Sequence, residues 1–262
     1  MGYTTIKLER EGNVALLILN RHEVHNAMDQ AMFLELKSAA GELSLDPEVR
    51  AVVITGEGPS FSSGLDLGSF QGLDKLTRRH FYALLKELQG AFLAYETMAK
   101  PVIAAVNGLA YGAGTELALA CDIRFASENA SFGLLEIKFG IIPDLGACRR
   151  LARLVGPGYA RELIYTGDVI DAREAHRIGL VEHLCPGDRV LDEALGLARR
   201  LADGPPLAIG MAKQAILRGL DADPETALEF EAMAQTLCLY SEDHREAVRS
   251  FLEKRKPDYR GN

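Results

Sequence analysis

Three acidic residues stand where carboxylates are uncommon, inside apolar stretches. Glu116 leads into Leu117-Ala118-Leu119-Ala120-Cys121, Glu136 interrupts Leu134-Leu135-Glu136-Ile137, and Asp144 follows Ile141-Ile142-Pro143. Desolvation raises the pKa of such a carboxyl and a helix N-terminus lowers it, and the sequence leaves that balance open. Two such groups can share the work of general acid and general base. Each has a plainer explanation as well. Glu116 suits the first turn of a helix, Glu136 suits the wet side of a short amphipathic segment, and Asp144 suits the N-cap of a helix expected from Ala147.

The backbone offers a second kind of chemistry. In Asn107-Gly108-Leu109-Ala110-Tyr111-Gly112-Ala113-Gly114-Thr115-Glu116 an apolar strand runs into a glycine-rich turn that opens a helix. Free N–H groups and the helix dipole at such a junction suit an anion, or an oxygen that becomes negative during a reaction. Close packing of helix on strand asks for the same small residues. A second junction, Phe61-Ser62-Ser63-Gly64-Leu65-Asp66-Leu67, follows the strand at 51–55 and can supply another donor. In a parallel sheet both junctions fall at the carboxyl ends of their strands, where α/β sheets bind ligands.

The elements that position these groups follow from pattern. Thr4 to Glu9 alternates, Glu11-Gly12-Asn13 turns and Val14 to Leu19 is apolar, which predicts a hairpin. Buried strands are expected at 51–55, 102–106 and 122–126, with helices at 29–43 and 76–98, the latter stopped by Pro101. This alternation predicts an α/β fold with parallel, doubly covered strands. From Asp171 onward the chain reads as helices, at 190–201, 205–220, 224–240 and 242–254. No internal repeat at a fixed period is visible.

Several chemistries are excluded. Gly112-Ala113-Gly114 and Gly56-Glu57-Gly58 lack the third glycine of a dinucleotide fingerprint, and there is no Walker lysine, H-E-x-x-H or G-x-S-x-G. His22 and His25 fit solvated turn residues better than metal ligands, so no metal is expected. The four cysteines, Cys121, Cys148, Cys185 and Cys238, form no C-x-x-C pair and are expected as buried thiols in a reducing compartment. A net charge of −8 argues against a general nucleic-acid or anionic-membrane binder. The N-terminal residues lack the pattern of a signal peptide and no apolar run is long enough to span a bilayer, so a cytoplasmic protein is expected.

Taken in order, these stretches resemble the crotonase family, also called the enoyl-CoA hydratase/isomerase family. The resemblance runs through Asn20-Arg21, Asn26-Ala27-Met28, Phe61 to Leu67, Lys100 to Gly108, Gly112 to Asp122, Phe132-Gly133 with Glu136, Gly140 to Pro143, Arg150 to Gly156, Leu163 to Gly167, Ala172 to Val181 and Phe251 to Pro257. It implies a spiral of ββα units with a helical C-terminal region. Residues 1–200 would form the core with the acyl-CoA site, and 201–262 a helical oligomerisation region. It implies an acyl-CoA thioester substrate, no cofactor beyond the coenzyme A of that substrate, and assembly as a homotrimer or homohexamer. The thioester oxygen would lie between the N–H groups of Leu65 and Ala113. Val24, His25, Ser63 and Asp66 match where the family holds coenzyme A.

The resemblance also assigns roles to the acids. Hydratases of the family carry two glutamates twenty positions apart, and Glu116 and Glu136 match them. Glu116 would activate water for attack at C3 of a trans-2-enoyl-CoA, and Glu136 would deliver the proton to C2. Asp144 departs from the glycine-rich stretch usual there and resembles the dienoyl-CoA isomerase branch. Double-bond isomerisation with Glu136 and Asp144 as proton shuttle is therefore the alternative, and a non-catalytic acyl-CoA binder a third reading. Phe70, Phe81, Tyr82 and Phe92 are candidates both for the acyl pocket and for the core.

Overall fold

The computed structural model describes residues 2–69 and 71–262. The N-terminal hairpin forms as expected: β1 (Ile6–Glu11) pairs antiparallel with β2 (Val14–Leu19) across the Gly12 turn. α1 (Gln30–Leu45) follows, capped by Asp29, whose carboxylate accepts the Met32 N–H at 2.8 Å. The chain then repeats one step three times. β3 (Ala51–Gly56) leads to β4 (Ser60–Ser62) and α2 (Arg78–Thr97). β5 (Val102–Val106) leads to β6 (Leu109–Tyr111) and α3 (Ala113–Ala120). β7 (Ile123–Ser127) leads to β8 (Ser131–Gly133), a 3₁₀ turn (Leu135–Phe139) and α4 (Ala147–Thr166). The last segments are β9 (Val169–Asp171), α5 (Ala172–Arg177), β10 (His183–Cys185), α6 (Val190–Ala202), α7 (Pro206–Gly219), α8 (Pro224–Leu239) and α9 (Glu242–Glu253).

Each turn of this spiral contributes one strand to each of two sheets. The larger runs β1-β2-β3-β5-β7-β10 and the smaller β4-β6-β8-β9. This is the ββα spiral that the resemblance implies. Its repeat is structural. The first unit includes the long α2 and the second only the short α3, so no fixed sequence period betrays it. The small sheet is the part that the sequence pattern left out. Its strands are three residues long, too short for an alternation of side chains to register.

The central strands are apolar throughout because both faces are covered. On β3 and β5, Val52, Ile54, Val102, Ala104 and Val106 face one cluster with α1 and α2. The alternate residues Ala51, Val53, Ile103 and Ala105 face α6 through Val190, Ala194, Leu195 and Ala198. Phe92 is fully buried, with its ring 5.5 Å from that of Phe33, so it belongs to the core. Phe70 lies outside the described residues. Cys121 and Cys185 are buried as expected, but Cys148 is exposed. Among the described residues no helix is long and apolar enough to cross a membrane.

The spiral brings α3 hard against β4. A Cβ added at Gly114 would overlap the carbonyl oxygen of Ser62 and lie 3.0 Å from the Ser62 Cβ. A Gly114→Ala variant should therefore lose about 2 kcal/mol or more of stability in urea denaturation, because neither backbone can give way.

Candidate active site

Two loops meet at the carboxyl ends of β4 and β6. The first is zipped to residues 24–28. Ser63 donates its N–H to His25 O (2.9 Å), Met28 its N–H to Gly64 O (2.7 Å), and Asp66 its N–H to Met28 O (3.0 Å). This pairing turns the Leu65 N–H to the opposite side. The second loop places Ala113 at the first position of α3, where no intrahelical acceptor exists. Among the described residues neither N–H has a hydrogen-bond partner.

The loops touch. A Cβ at Gly64 would lie 2.7 Å from Tyr111 O and 3.4 Å from Ala113 N, and Gly64 itself has a φ of +94°. A Cβ at Gly112 would sit 3.0 Å from Glu136 Oε1 and 4.0 Å from Gly64 Cα. The space above Gly112 thus lies between the Leu65 loop and the Glu136 carboxyl. Thr115 fixes this junction: its hydroxyl donates to Ala110 O (2.6 Å) and accepts the Gly133 N–H (3.3 Å), tying β6, α3 and β8 together.

Glu116 and Glu136 come from adjacent turns of the spiral, and the charge of Glu136 bears on Glu116. Glu116 is 1% exposed, and its Oε2 accepts the Ala147 N–H at 2.8 Å. Burial pushes its pKa up to about 8, with the charges of Glu136 and Asp144 adding to the rise, while the Ala147 and Leu145 N–H groups oppose it. It does occupy a first helical turn, but it is not a solvated surface acid. Glu136 sits in the 3₁₀ turn after β8, and its Oε2 is buried with no partner among the described residues. Its pKa is raised by burial and by the charge of Asp144.

Asp144 belongs to the same cluster. It does not cap α4: the N-cap is Gly146, at a φ of +116°, and no side chain caps the helix. Burial raises its pKa, and its charge bears on both glutamates. Asp144, Ile142 and Leu145 line one side of a cavity of about 1080 Å³, with Leu85, Gln89 and Leu93 of α2 on the other. Phe81 and Tyr82, at 39% and 66% exposure, lie one turn earlier on α2 and do not line it.

The segments matched to coenzyme A binding are also adjacent. Val24 O accepts the Ser63 hydroxyl at 3.3 Å, and the His25 ring pairs with Ser60 Oγ at 2.9 Å. The Asp66 carboxylate is engaged by Arg21 at 3.0 Å and by the N–H groups of Gly68 and Ser69. These contacts leave backbone and rim, not a free Asp66 carboxylate, facing outward. Among the described residues no group of His, Cys, Asp and Glu could hold a metal ion.

Sequence reasoning missed the residues that hold the Asp144–Ala147 turn from behind, Gln89 and Arg150. Gln89 donates from Nε2 to Asp144 O at 2.7 Å, and Arg150 from Nη1 to Leu145 O at 2.7 Å. Arg149 and Arg150 look alike in sequence. Only the helical phase of α4 separates the exposed one from the one 8% exposed.

Parallel loops presenting unpaired N–H groups beside buried carboxyls, on a ββα spiral, place the chain in a defined class. Residues 9–262 match the family model for enoyl-CoA hydratase/isomerase, and the chain belongs to that family. It is 43% identical over 260 residues to a crotonyl-CoA hydratase of Syntrophomonas wolfei, covering 99% of each chain. It is 41% identical to a short-chain-enoyl-CoA hydratase of Clostridium acetobutylicum, covering 98% of this chain and 97% of that one. The crystal structure of an enoyl-CoA hydratase from Bacillus anthracis superposes with a TM-score of 0.94 at 36% identity, covering 99% of this chain and all of that one.

The raised pKa of Glu116 carries a stability consequence. A buried carboxyl that titrates near 8 holds its proton in the folded chain at pH values where the unfolded chain has lost it. Wild-type stability therefore falls as pH rises from the unfolded value of 4.5 through about 8. Glu116→Gln escapes that loss. Its Tm should exceed the wild-type Tm by an amount that grows from pH 5 to pH 8.5, reaching about 3 °C or more in differential scanning calorimetry.

Proposed function

We propose that the protein is an enoyl-CoA hydratase, a lyase that adds water reversibly to trans-2-enoyl-CoA thioesters. The observation that carries this reading is the pairing of Glu116 and Glu136 beside the unpaired N–H groups of Leu65 and Ala113. The thioester oxygen accepts hydrogen bonds from both N–H groups, which draws electrons from the C2–C3 double bond. Ionised Glu116 takes a proton from water as its oxygen bonds to C3. The π electrons move onto the thioester as an enolate, whose oxygen the two donors stabilise by roughly 3–4 kcal/mol each. Glu136, protonated, gives its proton to C2. Glu116 ends protonated and Glu136 ionised, and one proton returned through water resets the pair.

The environments of the two glutamates differ, and burial delays the ionisation of Glu116 to about pH 8. Backbone N–H groups meet Glu116 and favour its ionised form. The orphaned Oε2 of Glu136 favours a protonated carboxyl. The coenzyme A moiety runs over Val24, His25, Ser63 and the Asp66 backbone, and the acyl chain enters the cavity beside Asp144. We place the enzyme in the cytoplasm, as a homotrimer or a dimer of trimers. The apolar residues left exposed on α8 and α9, Leu228, Met233, Leu237, Phe251 and Leu252, suit burial against further copies.

One observation favours a second reading. The charge of Asp144 bears on both glutamates, and with Glu136 and Asp144 moving a proton between carbons and no water added the enzyme would shift a double bond. The two reactions separate cleanly. Hydration of crotonyl-CoA removes the ultraviolet absorbance of the conjugated thioester and yields 3-hydroxybutyryl-CoA. Glu116→Gln and Glu136→Gln should each lower that rate by about 10²–10⁴-fold, with Asp144→Asn affecting it far less. The wild-type rate should rise with pH through about 8 as Glu116 ionises. Conversion of 3-enoyl-CoA without hydration of 2-enoyl-CoA, abolished by Asp144→Asn, would favour the isomerase instead.

A further inference from the structure

The turn Asp144-Leu145-Gly146-Ala147 donates its Ala147 N–H to Glu116, and two of its carbonyls are held from α2 and α4. A peptide unit is planar and trans, so its C=O and N–H point in opposite directions. The Asp144 carbonyl shares a peptide plane with the Leu145 N–H. Gln89 fixes that carbonyl with a 2.7 Å hydrogen bond, which holds this first peptide plane of the turn in one orientation. The Leu145 carbonyl is fixed in turn by Arg150 Nη1 at 2.7 Å. Arg150 is itself immobilised, donating from Nε (3.0 Å) and Nη2 (2.7 Å) to Glu96 Oε2 on α2. Gly146, at a φ of +116°, then turns the chain so that the Ala147 N–H reaches Glu116 Oε2 at 2.8 Å.

We propose that Gln89 and the Arg150–Glu96 pair are positioning residues, which act through this turn to keep the Glu116 carboxylate oriented and ionised for catalysis. The proposal rests on the reading of Glu116 as the group that activates water. All three side chains also line the cavity beside Asp144, so the test separates kcat from KM and reads the titration of Glu116 directly. Glu116 faces Glu136 from the 3₁₀ turn, Asp144 from the loop and the Cys148 thiol from α4, while Arg150 and Glu96 lie behind the turn.

Losing one aimed N–H is worth the net energy of a single hydrogen bond, or about 0.4–1 pKa unit. Gln89→Met keeps the volume of the side chain and removes only the donor. It should lower kcat for crotonyl-CoA hydration by about 3–10-fold at pH 7 with KM within about twofold, and the deficit should shrink towards pH 9. The acid limb of its pH–rate profile should move upward. Arg150→Met should do the same more strongly, and Arg150→Lys, which can still donate to Leu145 O, should recover part of the rate. In parallel, carboxyl ¹³C NMR of Glu-labelled protein, assigned with Glu116→Gln, should show the Glu116 titration midpoint moving upward in Gln89→Met. A midpoint and acid limb that stay at wild-type values would overturn the proposal, whatever the change in Tm. If the wild-type protein does not hydrate enoyl-CoA, the reading of the reaction fails. The NMR midpoint alone then decides whether these residues set the state of Glu116.

Discussion

Everything at this site depends on backbone meeting backbone without a side chain between. Gly64 lies against Tyr111 O, Gly112 against Gly64 Cα, and Gly114 against the Ser62 carbonyl. A methyl group at any of these points would separate the loops after β4 and β6 or fill the space that the carboxyls face. The glycines are therefore fixed by distance, and at Gly64 and Gly112 also by positive φ. The small sheet exists to enforce that distance. β4 and β6 pair in parallel over very few residues, and Thr115 ties the next strand to them.

The acids are arranged by a different force. Burying a carboxyl is costly, and the fold offsets the cost unequally. Glu116 is met by N–H groups from the start of α4, whereas Glu136 retains an unsatisfied oxygen. That inequality gives two residues of one type different surroundings. The helix α2 contributes from behind, since Gln89 and the Glu96–Arg150 pair set the turn that meets Glu116.

Much of this was legible from residues alone, and what was not has physical causes. The long helices and buried strands declare themselves through periodicity and caps. Asp29, Asp171 and Asp223 each cap the helix that follows. Glu116, Glu136 and Asp144 stood out because charge is rare in apolar surroundings, and the structure gathers all three. The expectation of a capping role for Asp144 failed because Gly146 starts α4 two residues later in a conformation that needs no side chain. The short strands were illegible because three residues carry no period. Arg150 and Gln89 were missed because their partners are backbone carbonyls distant in the chain, and a carbonyl leaves no mark in a sequence.

The ββα spiral has one more consequence, which concerns measure. Neighbouring strands in any sheet lie about 4.8 Å apart. The Leu65 and Ala113 N–H groups emerge just beyond two such neighbours, β4 and β6. Two donors at that spacing can each reach a single oxygen midway between them at an ordinary hydrogen-bond length of about 2.9 Å. The gap between the two donors is thus inherited from the sheet's own ladder and needs no tuning by side chains. Residues lining the neighbouring cavity are free to vary while that gap stays constant.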